Sequence, residues 1–381
     1  MDFELDEHER ALRDLCREFA QAEIAPNAQR WWDEERCPTE VLRKMGELGL
    51  MGLLVPERYG GAGCSTVGFV AAMEEVGRAD QSVAAAWQAH LTIGSLPLLH
   101  FGTEAQKERW LVPLARGEAL GAFGLTEPEA GSDASAVRTR ARRVGDGWVL
   151  DGRKMFISNA GTDMSFGVTV LARLEDGAEG ARYANFVVPR GTPGYSWGEK
   201  LRGIGWRALD TRALYFDHVH LADDCLLGTP GEGLAQFLSI LDVGRISIAA
   251  LSVSLAQAVL DLSLEYAKRR VQFGQPIARY QAIQFKLADI ATELEAARWL
   301  TYRAATLRDA GRPYTKEAAM AKLKASRVAV AAASEAVQVH GGYGYMLETP
   351  VARFYCDAKV LEIGEGTNEI QHIVIAKELG C

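Results

Sequence analysis

Gly145-Asp146-Gly147-Trp148-Val149-Leu150-Asp151-Gly152 is the stretch on which the fold class turns. Three β-forming residues stand between two turn clusters, too few for a helix and enough for the core of a short strand. The same grammar repeats downstream. Phe166 to Leu171, Ala184 to Val188 and Ala213 to Phe216 are β-branched and aromatic runs, and Pro189 to Pro193 punctuates them. Residues 121–229 therefore read as a small antiparallel sheet domain.

Both flanks are helical in period. Before the sheet, Leu12, Leu15, Phe19 and Ile24 recur at helical spacing behind an acidic first turn. Gly60-Gly61-Ala62-Gly63 interrupts this region, and Ala71 to Val76 resumes it. After the sheet, Asp242 to Arg270 and Tyr280 to Ala310 are long helical segments, and Thr315 is placed to cap a third that ends near His340. The expected architecture is α+β with three domains: an N-terminal α-helical domain (1–120), a middle antiparallel β domain (121–229) and a C-terminal four-helix bundle (230–381).

The 381 residues are 48% hydrophobic and carry a net charge of −8. That balance argues against an extended nucleic-acid groove or an anionic membrane surface as partner. Six cysteines without a CxxC pair read as reduced thiols of a cytosol-like compartment. The acidic start, MDFELDEHER, has no apolar signal core, and the apolar run Ile246 to Leu260 is short for a bilayer. A cytoplasmic protein is expected. There is no strand-linked G-x-G-x-x-G, P-loop or G-x-S-x-G elbow. His218 and His220 alternate beside Asp217, which a solvated strand face explains as well as a metal does, so no metal is expected.

Five segments carry candidate chemistry. Gly124-Leu125-Thr126-Glu127-Pro128-Glu129-Ala130-Gly131-Ser132-Asp133 is either a polar capping loop or a flexible wrap for a planar ligand. Arg269-Arg270-Val271-Gln272-Phe273-Gly274 puts cations at a helix end, suited to solvent or to phosphate. The others are Gln338-Val339-His340-Gly341-Gly342-Tyr343-Gly344-Tyr345, Leu241-Asp242-Val243-Gly244-Arg245, and Glu362-Ile363-Gly364-Glu365-Gly366-Thr367-Asn368-Glu369-Ile370-Gln371. By composition alone, a Glu between glycines is a loop residue.

Together these segments resemble the acyl-CoA dehydrogenases, and the resemblance runs the length of the chain. It implies α,β-dehydrogenation of an acyl-CoA by an FAD enzyme, a homotetramer, and an electron-transfer flavoprotein as acceptor. Glu365 matches the family's catalytic base. A minority subgroup carries its base at the position of Gly244, which has no side chain. Phe123, Leu125 and Thr126 would lie against the flavin ring, and Ser132 near the flavin and the CoA arm. In Lys154-Met155-Phe156-Ile157-Ser158, Phe156 and Ser158 match an aromatic and a hydroxyl that contact the isoalloxazine, where Trp and Thr are more usual. Arg270, Gln272 and Phe273 would reach the FAD of a neighbouring subunit. Gln338, Gly341 and Gly342 would cradle its diphosphate and adenosine, and Thr367 and Glu369 would touch the cofactor. Asp242 and Arg245 fall near the pantetheine, and Gly366 beside the thioester. Gly364 stands where Tyr is common, and Glu129 where Gly is common. Glu348, Arg353 and Asp357 read as structural ion pairs. The resemblance leaves open an enoyl-CoA reductase or another flavoenzyme on this fold; a DNA-associated member should carry a basic patch, which this chain lacks.

Overall fold

The computed structural model describes residues 4–175 and 182–381. Helices run to Ala115, the main sheet from Phe123 to Leu227, and helices again from Gly233 to Leu379, with one two-stranded hairpin among the latter. The first helix, Glu7–Phe19, opens with a capping box. Asp6 accepts from the Glu9 N–H at 2.8 Å, and its own N–H donates to the Glu9 carboxylate at 3.0 Å. Helices Thr66–Ala79 and Gln81–Ala89 meet at Asp80, which ends one and caps the other by accepting from Val83 N–H at 2.8 Å. All of Gln81–Ala89 is buried, so this helix belongs to the core and not to a surface layer.

The sheet has eight strands. Its centre is Gly147–Ser158, the strand that contains the opening stretch, flanked by Arg140–Val144 and Thr211–Ala222 in antiparallel register. Most other pairings are antiparallel too. Gly167–Leu174 is the exception: it runs parallel to Arg140–Val144 and to the two-residue strand Phe123–Gly124. Phe123 thereby sits at the seam between sheet and helices, stacked on Phe237 with ring centroids 4.1 Å apart.

The C-terminal bundle is built from Gly233–Arg269, Gln281–Asp309, Thr315–His340 and Asn368–Leu379. The first starts earlier than its periodicity indicates, because Gly233, Phe237 and Ile240 are buried in its opening turns while the equally apolar Leu238 is exposed, which blurs the helical pattern. It is the one described helix long and apolar enough to cross a membrane, and 83% of its apolar window is buried inside the protein. Thr315 is not a cap. Tyr314 holds that position without a side-chain hydrogen bond, and the Thr315 hydroxyl donates to Asp242 Oδ2 at 2.7 Å, tying two helices together.

One buried ionic cluster joins parts of the chain that are far apart in sequence. Arg353 donates to Asp80, and Asp357 Oδ1 accepts from the Trp206 N–H at 2.6 Å, so a helix break, a sheet-domain loop and a C-terminal helix meet there. Arg353 and Asp357 are thus structural, whereas Glu348 is exposed and forms no ion pair among the described residues. Burial lifts the Asp357 carboxyl to about 7, against the pull of Arg353 and with the help of Asp80. Arg353→Met would leave two buried carboxylates without their cation, a loss of about 3–5 kcal/mol. An acid whose folded pKa is raised loses stability as pH climbs up to that value, and the variant lifts it further. Parent and variant lose stability in parallel up to about 7 and only the variant goes on losing it above, so the Tm gap should be flat below about pH 6 and widen from about pH 7 to about pH 9 in calorimetry; a gap that stays constant or narrows above about pH 7 would show that the cluster is not held by charge.

Candidate active site

The segment that leads into Asn368–Leu379 is a strained turn. Ile363 and Gly364 both donate to Val360 O, at 2.9 and 2.8 Å, and the chain then enters two consecutive left-handed residues, Glu365 at φ 54° and Gly366 at φ 91°. Gly takes this conformation freely; Glu pays roughly 1–2 kcal/mol for it. The turn persists because its carbonyls are held. Gln371 Nε2 donates to Gly366 O at 2.8 Å and to Glu365 O at 3.4 Å, and Lys322 Nζ donates to Gly366 O at 2.9 Å. Thr367 then caps the helix, accepting from Ile370 N–H at 3.3 Å.

The turn aims the Glu365 carboxylate at the helix Gly233–Arg269. A Cβ on Gly244 would lie 2.3 Å from Glu365 Oε2, so a side chain there and this carboxylate exclude each other. The residue as a whole is half-buried; its Oε2 is shielded from solvent and has no hydrogen-bond partner among the described residues. Loss of solvation pushes the carboxyl up to about 7, although the cations of Arg245 and Lys322 pull it down. The main-chain N–H of Glu365 donates to no protein group among the described residues. A proton acceptor poised near neutrality and a free N–H donor thus come from one residue.

Behind this carboxylate, Arg245 is buried and donates to Asp242, which also accepts from Thr315; Arg245 Nε has no partner. On the sheet side, Lys154 is fully buried and donates to Leu125 O at 3.0 Å and to Glu127 at 2.8 Å. Glu127 also accepts from the N–H groups of Arg138 and Thr139, at 2.6 and 2.9 Å. Met155 N–H donates to Thr126 O at 2.9 Å. This lattice holds Leu125-Thr126 beside Phe156, which stands at φ 62° with its ring 65% exposed. An apolar ring held outward in strained backbone marks a platform for a ligand. Leu125, Thr126 and Ser158 are half-buried and Ser132 is exposed, whereas Phe123 is buried with its ring stacked on Phe237.

A second cleft, of about 490 Å³, lies between Arg270, Gln272, His340, Gly341, Gly342 and Tyr343. Gly341 ends its helix at φ 59°, and a Cβ on Gly341 or Gly342 would meet nothing within 4 Å. This open, glycine-floored, cationic cleft suits a phosphate chain. Arg270 sits 5.7 Å from the Tyr343 ring centre. Gln338, exposed, does not line the cleft, and Glu369 is exposed on the first turn of the last helix. Phe273, 95% exposed at φ 49°, projects from the hairpin beside it. No hydrogen bond or ion pair among the described residues joins this cleft to the Glu365 cluster.

Sequence reading missed Lys322, Lys154 and Gln371. The signal for Lys322 was present: it stands among Ala318, Ala319, Ala321 and Ala325, where an unpaired cation has no place. His218, Asp217 and Asp151 do converge, with His218 Nδ1 2.9 Å from Asp217 and 3.2 Å from Asp151, and Asp217 and His218 are exposed.

Three family models match this chain in succession: the N-terminal domain of acyl-CoA dehydrogenases over residues 6–118, the middle domain over 122–219 and the C-terminal domain over 231–380. The probable acyl-CoA dehydrogenase YngJ of Bacillus subtilis is 48% identical over 380 residues, covering all of both chains. The mitochondrial short-chain specific acyl-CoA dehydrogenase of Bos taurus is 45% identical over 99% of this chain and 91% of its own. The structure of butyryl-CoA dehydrogenase from Megasphaera elsdenii superposes with a TM-score of 0.97 at 40% identity, covering both chains completely.

Proposed function

The chain belongs to the acyl-CoA dehydrogenase family of FAD-dependent oxidoreductases, and we propose that it converts a short acyl-CoA to the trans-2-enoyl-CoA with Glu365 as the base that takes the α-proton. The observation that carries this reading is Glu365 Oε2, shielded and without a partner, on a carboxyl lifted to about 7. A thioester α-proton is far less acidic than an ordinary carboxylic acid, so a base near neutrality in a dry pocket is what the step needs. The free Glu365 N–H would donate to the thioester oxygen as enolate charge develops. Arg245 and Asp242 would steady the pantetheine side, and Gly366 keeps the turn open next to the thioester.

The residues present fit FAD. Phe156 and Ser158 offer a ring and a hydroxyl, Leu125 and Thr126 offer main chain and a hydroxyl, and the cleft of Arg270, Gln272, Gly341 and Gly342 offers cation and N–H groups to phosphates. FAD, when bound, supplies the acceptor for the β-hydride. An electron-transfer flavoprotein is the proposed onward acceptor.

A homotetramer completes the reading. The Arg270–Phe273 hairpin makes no hydrogen bond or ion pair to its own Glu365 cluster among the described residues, as expected if it serves a neighbour's cofactor. A groove of about 780 Å³ between Gln281–Asp309 and Thr315–His340 carries Ile290, Leu300, Met320, Leu323 and Val328 inside a charged rim, which suits a second copy of the chain.

Substrate width is set beside the base. A Cβ on Gly364 would meet only Val360 O, at 3.6 Å, so the side-chain space is free. Space of ring size left unfilled is costly, on the order of 24 cal/mol per Å³. We read it as room for a branched or cyclic acyl group.

Glu365→Gln should keep FAD and acyl-CoA binding and lose turnover by about 10²–10⁴-fold, the scale of a general base; turnover within about tenfold of the parent would assign the base elsewhere. Light scattering should find a tetramer with one FAD per chain, and a monomer holding stoichiometric FAD would contradict the shared-site reading. Gly364→Tyr should cut kcat/KM for isovaleryl- and cyclohexanecarboxyl-CoA more than for butyryl-CoA. An unchanged ranking, with the straight chain strongly preferred in both proteins, would remove the pocket-width argument.

A further inference from the structure

Lys322 is fully buried on Thr315–His340, and its neighbours on that helix are alanines. Burying an ammonium is expensive unless it is hydrogen-bonded, and here both of its partners belong to the catalytic segment. Nζ donates to Gly366 O at 2.9 Å and to Asn368 Oδ1 at 3.1 Å. Asn368 Oδ1 is held in turn by Ser326 Oγ at 3.0 Å, and Asn368 Nδ2 reaches Glu362 at 3.4 Å. The ammonium therefore grips the chain on the residue that follows Glu365 and again two residues later.

We propose that Lys322 is a positioning residue of the reaction: by holding the Gly366 carbonyl and the Asn368 amide it fixes the left-handed turn that presents both the Glu365 carboxylate and the Glu365 N–H to the acyl-CoA. The inference rests on Glu365 being the base. The geometry gives the reason for a cation at this position. Glu365 in left-handed backbone is strained, and relaxing it would swing the carboxylate off Gly244 and rotate the N–H with it. Gln371 secures the same carbonyl from the helix side, so Lys322 and Gln371 clamp the Gly366 peptide between two helices.

The charge has a second consequence. Lys322 faces Glu362, Glu365 and Glu369 from the turn and last helix, and Arg245 from Gly233–Arg269. Burial pulls its own pKa down to about 8, against those three acids. It also lowers the proton affinity of Glu365, as Arg245 does. Removing Lys322 must therefore raise that affinity and move the acid limb of the rate profile to higher pH, an effect that loss of packing alone does not produce.

The test is anaerobic stopped-flow bleaching of the flavin by butyryl-CoA across pH, using the holoenzymes of the parent, Lys322→Met, Asn368→Ala and Glu365→Gln. Lys322→Met should retain FAD and bind acyl-CoA, reduce its flavin about 10- to 100-fold more slowly, the scale of a misplaced reacting group, and show the acid limb displaced upward. Asn368→Ala should slow the step by about tenfold with the acid limb unmoved, since it loosens the turn and keeps the charge. If Lys322→Met loses its FAD, Asn368→Ala decides, and a parental rate in that variant overturns the proposal. Parental rate and profile in Lys322→Met, with Glu365→Gln slow, overturn the role of Lys322 alone. A fast Glu365→Gln removes the base assignment, and the proposal with it.

Discussion

A carboxylate oxygen that is shut off from water and bonded to nothing is an arrangement proteins normally avoid. Here Glu365 Oε2 is in that condition, and several neighbouring residues keep it there. Gly244 gives up its side chain so that the oxygen can sit against the helix. Gly366 gives up its side chain so that the turn can form. Lys322 and Gln371 hold the main chain in a conformation that a Glu would otherwise leave. The cations of Arg245 and Lys322 are near enough to moderate the proton affinity of Glu365, and neither hydrogen-bonds to its carboxylate.

Backbone strain marks the same functional map. Among the described residues, seven non-glycine residues have positive φ: Glu35, Phe156, Asn159, Trp206, His218, Phe273 and Glu365. Phe156, Phe273 and Glu365 belong to three separate candidate segments, and each holds its side chain where relaxed backbone would not. Trp206 has a structural account: its N–H donates to the buried Asp357 carboxylate that helps join the domains. Strain of this kind persists only where surrounding contacts over-determine it, and Lys154 with Glu127 does for the Phe156 platform what Lys322 does for Glu365.

The textures of the chain are legible because each obeys one local rule. Short β-branched runs between turn residues make Gly147–Ser158 and its neighbours readable as strands, and period decides the long helices. The parallel pairings of Gly167–Leu174 are not readable, since nothing local distinguishes a strand's neighbours. Thr315 looks like a cap and is a tie to Asp242, because a hydroxyl at a helix start serves either purpose and only tertiary structure chooses. At the site, Glu365, Arg245 and the glycines are readable through the family motif. Lys154 is not, and for Lys322 the alanines around it signal burial without its partners, because the meaning of a buried lysine lies in groups that are distant in sequence. Phe123 is expected at the flavin ring by the family motif, and its stack on Phe237 at the seam between sheet and bundle could not be read from sequence.

The central claim is that Glu365 titrates near neutrality because it is dry and unpartnered. Infrared difference titration of the flavoprotein tests it directly, reading the C=O stretch of a protonated carboxyl in the parent and its absence in Glu365→Gln. The account predicts a band that is lost in the variant and disappears with an apparent pKa of about 7. A carboxyl that titrates at the ordinary value of 4.5, or no band that depends on Glu365, would contradict it.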